Sequence, residues 1–258
     1  MSNIITGRLP LQEIPEVPVT SYVLWHAERL ADSPTLIDGV SGRTLTYGQL
    51  NDSIRRIAGG LMARGFGKGD VLAILAPNCP EYPVLLHGTL LTGGTVTTIN
   101  PLYTAREITH QMKDAGARFL FTVAAVQKAV GLKAVFVLGD VGEFPATPLS
   151  ALYGDSLGDD ELPVIAPCDD IAVLPMFHIY GMQPLMNCIL ANGGTIITMP
   201  RFELRVYLEL HQRFRATPAY VVPPIVLALA RDPCVDDYDL SALEFVFSAA
   251  APLGRPRG

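Results

Sequence analysis

Residues 71–99 read VLAILAPNCPEYPVLLHGTLLTGGTVTTI, and this stretch decides the fold class. Val71 to Ala76 is a short, unbroken apolar run that ends at Pro77, which predicts a strand buried on both faces. Asn78 with Glu81 supplies a helix-start pattern, and the helix runs to about Leu91. The pair Gly93-Gly94 ends it, and the β-branched run Thr95 to Ile99 predicts a second strand. Strand, helix, strand at this spacing is a βαβ unit, which builds a parallel sheet with helices on both faces.

The same alternation continues on either side. Downstream, Thr104 and Glu107 form a capping box that opens a helix to about Ala115, and Arg118 to Val123 predicts a third strand. Upstream, Thr35 to Asp38 and Thr44 to Thr46 flank a glycine-containing turn and predict a small hairpin. A second capping box, Thr46 with Gln49, precedes Leu50, Ile54, Ile57, Ala58 and Leu61 at helical spacing, and Gly65 to Gly69 stops that helix. Asp155 to Asp170 is acidic, contains Pro163 and Pro167, and reads as a linker, so two units are expected over residues 1–165 and 166–258. The second unit predicts strands at Ile171–Leu174, Thr195–Met199, Ala219–Val222 and Phe245–Phe247. Its helices are predicted at Pro184–Leu190, Leu204–Phe214 and Ile225–Ala230. The fold expected is α/β, two layered and mostly parallel sheets flanked by helices. A weak repeat, Gly93-Gly94-Thr95-Val96-Thr97-Thr98 and Gly193-Gly194-Thr195-Ile196-Ile197-Thr198, is compatible with two related halves or simply with glycine pairs that end helices.

Composition bounds the function classes. Of 258 residues, 49% are hydrophobic and 17% charged, which excludes a disordered chain, and 23 Gly with 21 Pro exclude a long coiled coil. The net charge of −6 without a basic cluster argues against nucleic-acid or anionic-membrane partners. The mean hydropathy is +0.31. Ile171 to Pro200 lacks charge, but His178, Gln183, Asn187, Asn192 and three prolines interrupt it, so buried strands are expected there rather than a membrane span. Cys79, Cys168, Cys188 and Cys234 form no CxxC pair, which argues against zinc and suits a reducing, cytoplasmic setting. The N-terminal stretch shows no secretory pattern.

Few motifs carry chemistry alone. Gly65-Phe66-Gly67-Lys68-Gly69 follows a helix instead of preceding one, so it reads as a helix stop and not a nucleotide loop. Gly154-Asp155-Ser156-Leu157-Gly158 matches a nucleophile elbow, yet acidic residues and prolines follow Ser156 where a helix would have to start. His178, in Phe177-His178-Ile179-Tyr180-Gly181-Met182, follows a predicted strand, the place where α/β folds bind ligands. An imidazole and a phenol beside an apolar slot suit a carboxylate or aromatic ligand. Ser248-Ala249-Ala250-Ala251-Pro252-Leu253-Gly254 follows the last strand, and its small side chains let a flat ligand approach the backbone.

Taken together, these residues resemble the adenylate-forming acyl-CoA synthetases, nearest their 4-coumarate–CoA ligase branch. The resemblance runs in order through Thr44-Leu45-Thr46-Tyr47, Val71 to Asn78, Ile99-Asn100-Pro101-Leu102-Tyr103-Thr104 and Phe177 to Met182. It continues through Met199-Pro200-Arg201-Phe202, Val221-Val222-Pro223-Pro224, Tyr238-Asp239-Leu240-Ser241 and Ala250 to Gly254. It implies activation of an aromatic or fatty carboxylic acid by Mg-ATP to an acyl-adenylate, then transfer to coenzyme A. It also implies that His178, Tyr180, Gly181, Val222 and Pro223 line the acyl site. Ala249, Ala250, Ala251 and Pro252 would pack on adenine, although the family usually has Gly where Ala249 stands, and Arg201 would lie near coenzyme A. No catalytic or metal-binding residue is carried over.

The resemblance also implies losses. The family places a Ser/Thr/Gly-rich loop ending in Pro-Lys-Gly, which cradles the ATP phosphates, between the strand at Ile171 and the Phe-His motif. Here Leu174-Pro175 runs directly into Met176-Phe177. The chain stops about halfway through the family's length, before the Mg²⁺-holding motif, the ribose-binding aspartate and the domain with the catalytic lysine. The expectation is a member that does not make acyl-adenylate by itself, with ATP, Mg²⁺ and coenzyme A not productively bound. It should also self-associate through apolar surface around Phe177–Leu190 and Val221–Leu229. The alternatives are a non-catalytic carboxylate binder and a serine hydrolase using Ser156.

Overall fold

A computed structural model describes residues 15–123, 134–138, 147–154, 176–243 and 245–250. The largest sheet contains β3 (Val71–Leu75), β4 (Thr95–Ile99), β5 (Phe119–Val123), β6 (Ala134–Leu138) and β7 (Thr147–Pro148). Its order is β4-β3-β5-β6-β7 and every pair is parallel. β1 (Pro34–Asp38) pairs antiparallel with β2 (Thr44–Thr46), as expected of the hairpin, and parallel with β8 (Ile196–Thr198). β9 (Pro218–Val221) and β10 (Phe245–Ser248) form a parallel pair. The architecture is therefore the α/β one, with parallel sheets and flanking helices.

Side-chain alternation along β3 explains why both faces are covered. Leu72 and Ile74 point into a core shared with α2 (Tyr47–Met62) and α3 (Glu81–Leu91). Ala73 and Leu75 point into a second core with Ile108 and Met112 of α4 (Ala105–Asp114). Leu50, Ile54, Ile57 and Leu61 of α2 are fully buried, each contributing about 1.5–3 kcal/mol of transfer free energy. Both predicted capping boxes form: Thr46 with Gln49 opens α2, and Thr104 with Glu107 opens α4. At Gly88 the α2–α3 contact is so close that a Cβ would lie 2.6 Å from Ile57 Cγ2.

The second part of the chain is tied to the first by hydrogen bonds at the end of α5 (Cys188–Ala191). Tyr47 Oη donates to the carbonyls of Leu190 and Gly194 at 3.1 and 2.8 Å, and Trp25 Nε1 and His26 Nε2 reach the Ala191 carbonyl at 3.2 and 2.5 Å. These bonds satisfy carbonyls that a helix end leaves without partners. The repeated glycine pairs adopt one geometry. Gly93 and Gly193 both take φ +75°, and their amides bond to Leu90 and Leu190. A Cβ at Gly94 or Gly194 would strike Phe66 or Ile189.

Several expectations are corrected. Asn78 does not cap α3, which begins after Pro80 without a side-chain cap; its carboxamide accepts the Met176 amide instead. The helix expected at Pro184–Leu190 begins earlier, as a π-helix over Gly181–Asn187 that passes into α5. Pro184 has no amide hydrogen to give to a regular ladder. The helix expected from Ile225 starts at Pro223, because prolines fit a first turn whose amides have no partner, and forms α7 (Pro223–Arg231). α1 (Val19–Val23), β6 and β7 are additions to the predicted elements. α6 (Leu204–Phe214) has the predicted bounds. The Ile171–Leu174 strand, the 155–170 linker, Ser156, Cys168, Ala251 and Pro252 lie outside the described residues. Among the described residues, no helix is long and apolar enough to cross a membrane.

Candidate acyl-binding site

The carboxyl ends of β9 and β10 are where Tyr180, Val222 and Ala249 of the expected site residues lie. Two parallel strands finishing side by side present their last carbonyls and amides on one edge, and the following turns converge there. The Ala249 amide donates to the Val221 carbonyl at 3.2 Å, which binds the turn after β10 to the end of β9. Tyr180 arrives from the other side and its hydroxyl donates to the Phe247 carbonyl at 3.0 Å. Its ring stands edge-on to Tyr220 of β9, with centroids 6.4 Å apart. Burial, and then the neighbouring Tyr220 phenol, raise the Tyr180 phenol above its ordinary range, so it remains a neutral donor.

Tyr180, Val222 and Ala249 are thus brought together, whereas the remaining expected residues spread outward. Val222 occupies the turn between β9 and α7, and its carbonyl accepts the amides of Ile225 and Val226 at 2.9 and 3.2 Å. Pro223 is half-buried as the first residue of α7. Gly181 is buried at the start of the π-helix, and His178 is exposed on the preceding turn. Ala250 is exposed and takes φ +69°, a left-handed conformation that strains a residue with a Cβ. Arg201 lines the cavity beside this edge, its side chain 87% exposed and 3.8 Å from Glu203.

Beside this edge lies a cavity of about 880 Å³. Val222, Tyr220 and Ile225 form one wall, Ile197 of β8 another, and Leu210 and Phe214 of α6 a third. Tyr207 and His211 add polar tips on the α6 side, their rings 4.6 Å apart. Burial pushes the Tyr207 phenol up to about 12 and holds the His211 imidazole below its ordinary value, so both are neutral near pH 7. Apolar walls with a few polar tips suit the body of an organic acid, and the Arg201 and Arg215 guanidiniums, which also line the cavity, suit its carboxylate.

Sequence reasoning missed Tyr220, which joins Tyr180 to the cavity wall. It reads as one more aromatic in a strand, and only the register of β9 against β10 reveals its place. It also missed Asn78 and Thr98, whose side chains hold the Met176–Phe177 backbone. Asn78 was legible as a polar residue after a strand but was assigned to the helix that follows. Among the described residues, no group of three or more His, Cys, Asp or Glu side chains is placed to hold a metal.

Comparison with known proteins gives a consistent result. The family model described as AMP-binding enzyme matches residues 23–169 and 151–257. The 4-coumarate–CoA ligase of Pinus taeda is 32% identical over 307 residues, covering 99% of this chain and 57% of that protein. The 4-coumarate–CoA ligase 3 of Arabidopsis thaliana is 32% identical over 308 residues, covering 98% and 54%. The chain therefore spans a little over half the length of these relatives. Among solved structures, a long-chain-fatty-acid–CoA ligase of Archaeoglobus fulgidus superposes with a TM-score of 0.82 at 18% identity, over 96% of this chain and 61% of that one. The luciferase-like enzyme of Zophobas morio gives 0.81 at 18% identity, over 98% and 71%. The two superpositions show a shared fold. With the family model matched along most of the sequence, the chain belongs to the AMP-binding enzyme family.

Proposed function

We propose that this chain carries the acyl-binding wall of an acyl-CoA ligase and binds an aromatic or fatty carboxylic acid without converting it to an acyl-adenylate by itself. The observation that carries the reading is the convergence of Tyr180, Tyr220 and Val222 at the carboxyl end of β9, beside an apolar cavity of about 880 Å³. Two aromatic rings and a valine supply the flat apolar contact, and the cavity takes the body of the acid. One superposable enzyme, the anthranilate CoA ligase AuaEII, was solved with anthranoyl-AMP, the adenylate of an aromatic acid (TM-score 0.75, 14% identity).

The adenylation half of the proposal rests on an internal feature. Leu174-Pro175 passes directly into Met176-Phe177, where the family's phosphate loop would stand. The 307-position alignment with the Pinus relative exceeds the 258 residues by 49, so that relative holds at least that many residues without counterparts. The family model also matches in two stretches that overlap at 151–169, close to the proposed loss. Adenylation places charge on a pentavalent phosphate, and removing even one fixed donor typically costs about 10²–10³ in rate.

Family membership implies ATP, Mg²⁺ and coenzyme A, which supply the activating phosphate and the thiol acceptor. For adenine, the small Ala249 and Ala250 leave the backbone after β10 open to a flat ring. For coenzyme A, the exposed Arg201 guanidinium, only loosely paired, is free to meet a phosphate. Exposed Ile179, Leu227, Val246 and Phe247 support self-association, which sedimentation at rising concentration tests. For the main reading, the purified chain should bind 4-hydroxycinnamate in ligand-observed NMR and show no acid-dependent ATP–pyrophosphate exchange. Exchange above the no-acid control would overturn the second half, and absence of binding to any aromatic or fatty acid would overturn the first.

A further inference from the structure

The turn that carries His178 is held from outside by the five-stranded sheet. The Met176 amide donates to Asn78 Oδ1 at 2.9 Å, and Thr98 Oγ1 donates to the Phe177 carbonyl at 2.9 Å. Asn78 follows β3 and Thr98 belongs to β4, so neighbouring strands grip the peptide groups that flank the Met176–Phe177 linkage. The β4 side is braced in turn: Gln111 Nε2 of α4 donates to the Thr98 carbonyl at 3.0 Å and to Thr97 Oγ1 at 3.1 Å. Met176 is 1% exposed, anchoring the same peptide in the core, while His178 and Ile179 project outward. Asn78 is also placed where it could have capped α3, yet α3 starts without a side-chain cap. Its carboxamide serves the turn in place of the helix next to it.

We infer that Asn78 and Thr98 are positioning residues for the acyl-binding wall. Through Met176 and Phe177 they set where His178 stands and where Tyr180 begins its reach to Phe247 and Tyr220. Two bonds, one on each side of the Met176–Phe177 peptide, remove the freedom of the turn to rotate, and one bond alone leaves a hinge. This inference rests on the reading of Tyr180 and His178 as acyl-site residues, but the positions themselves can be tested without ligand.

The test uses the full chain with four variants. Asn78→Ala and Thr98→Val remove the acceptor and the donor, and Asn78→Asp and Thr98→Ser keep them. The readouts are the His178 imidazole NMR signals, hydrogen exchange of the Met176 amide, and 4-hydroxycinnamate affinity. Asn78→Ala should speed Met176 exchange, both removals should shift the His178 signals, and each should weaken binding about threefold to tenfold, as expected for one lost hydrogen bond. Asn78→Asp and Thr98→Ser should return the parent signals. Unchanged His178 signals and Met176 exchange in both removals would overturn the inference, as would a Thr98→Ser chain as perturbed as Thr98→Val. If one removal variant does not fold, the other together with both conservative variants still decides. If the parent binds no acid, the functional reading fails while the imidazole and exchange data still judge the positioning.

Discussion

Helices α3 and α7 are similar in composition and opposite in environment. α3, EYPVLLHGTLL, buries nine of its eleven residues, including Glu81 and His87, whereas α7, PPIVLALAR, has no buried residue among its nine. Both have apolar sequences; the difference lies in what surrounds them. α3 is wedged between α2 and the five-stranded sheet, with Gly88 allowing close approach. α7 follows β9 of a two-stranded sheet whose Phe247 is 58% exposed. Hydrophobicity therefore selects the element, but the number of packed layers decides what that element contributes to stability.

The sharpest way to break this comparison is to truncate the same side chain in each helix. Leu85→Ala in α3 should cost about 2–5 kcal/mol, while Leu227→Ala in α7, at a site 48% exposed, should stay within about 0.5 kcal/mol. Urea unfolding of both variants measures the difference, and equal losses would mean that α7 is covered as tightly as α3.

A pH titration comes next in size. Burial holds the His87 imidazole at about 4, opposed by the nearby Asn187 carboxamide, and its Nδ1 lies 3.0 Å from Thr20 Oγ1. The folded value lies below the unfolded one near 6.5, so the unfolded state binds more protons between them. Stability is then full above about pH 6.5 and falls as the pH drops toward 4, by about 3 kcal/mol from this group. His87→Gln should flatten that part of the pH–stability curve. An unchanged slope would remove His87 as its source.

The smallest effect belongs to the loosely packed side. Ala250 holds φ +69° at an exposed turn, and Ala250→Gly should raise stability by about 0.5–1 kcal/mol. A loss would show that the alanine methyl makes a contact worth more than the strain.

The parts legible in the sequence were those governed by neighbours along the chain. Both capping boxes, the bounds of α6 and the burial of β3 on both faces follow from local spacing and side-chain type. Asn78 was misassigned because a cap and a long-range acceptor use the same side-chain chemistry; only the 98-residue reach to Met176 separates them. The early, wide start of the helix at Gly181 was hidden because Pro184 marks a disturbed ladder without stating which register replaces it. The motif around His178 and Tyr180 pointed to a turn that reaches the β9–β10 pair, but Tyr220 entered the candidate site only through the pairing of β9 with β10. Side chains whose place depends on strand register or on a distant partner carry no local signal.

On the proposed reading, Tyr180 and its neighbours at the end of β9 form a wall that binds a carboxylic acid. Calorimetric titration of 4-hydroxycinnamate into the parent chain, Tyr180→Phe, Tyr180→Ala and His178→Ala tests it most directly. Tyr180→Phe keeps the ring beside Tyr220 but loses the bond to Phe247, so it should weaken binding less than Tyr180→Ala, which removes the wall. The account predicts measurable binding by the parent, a graded loss through the two Tyr180 variants, and weaker binding by His178→Ala, all in chains that keep the parent's unfolding midpoint. Binding of equal strength in the parent, Tyr180→Ala and His178→Ala would contradict it.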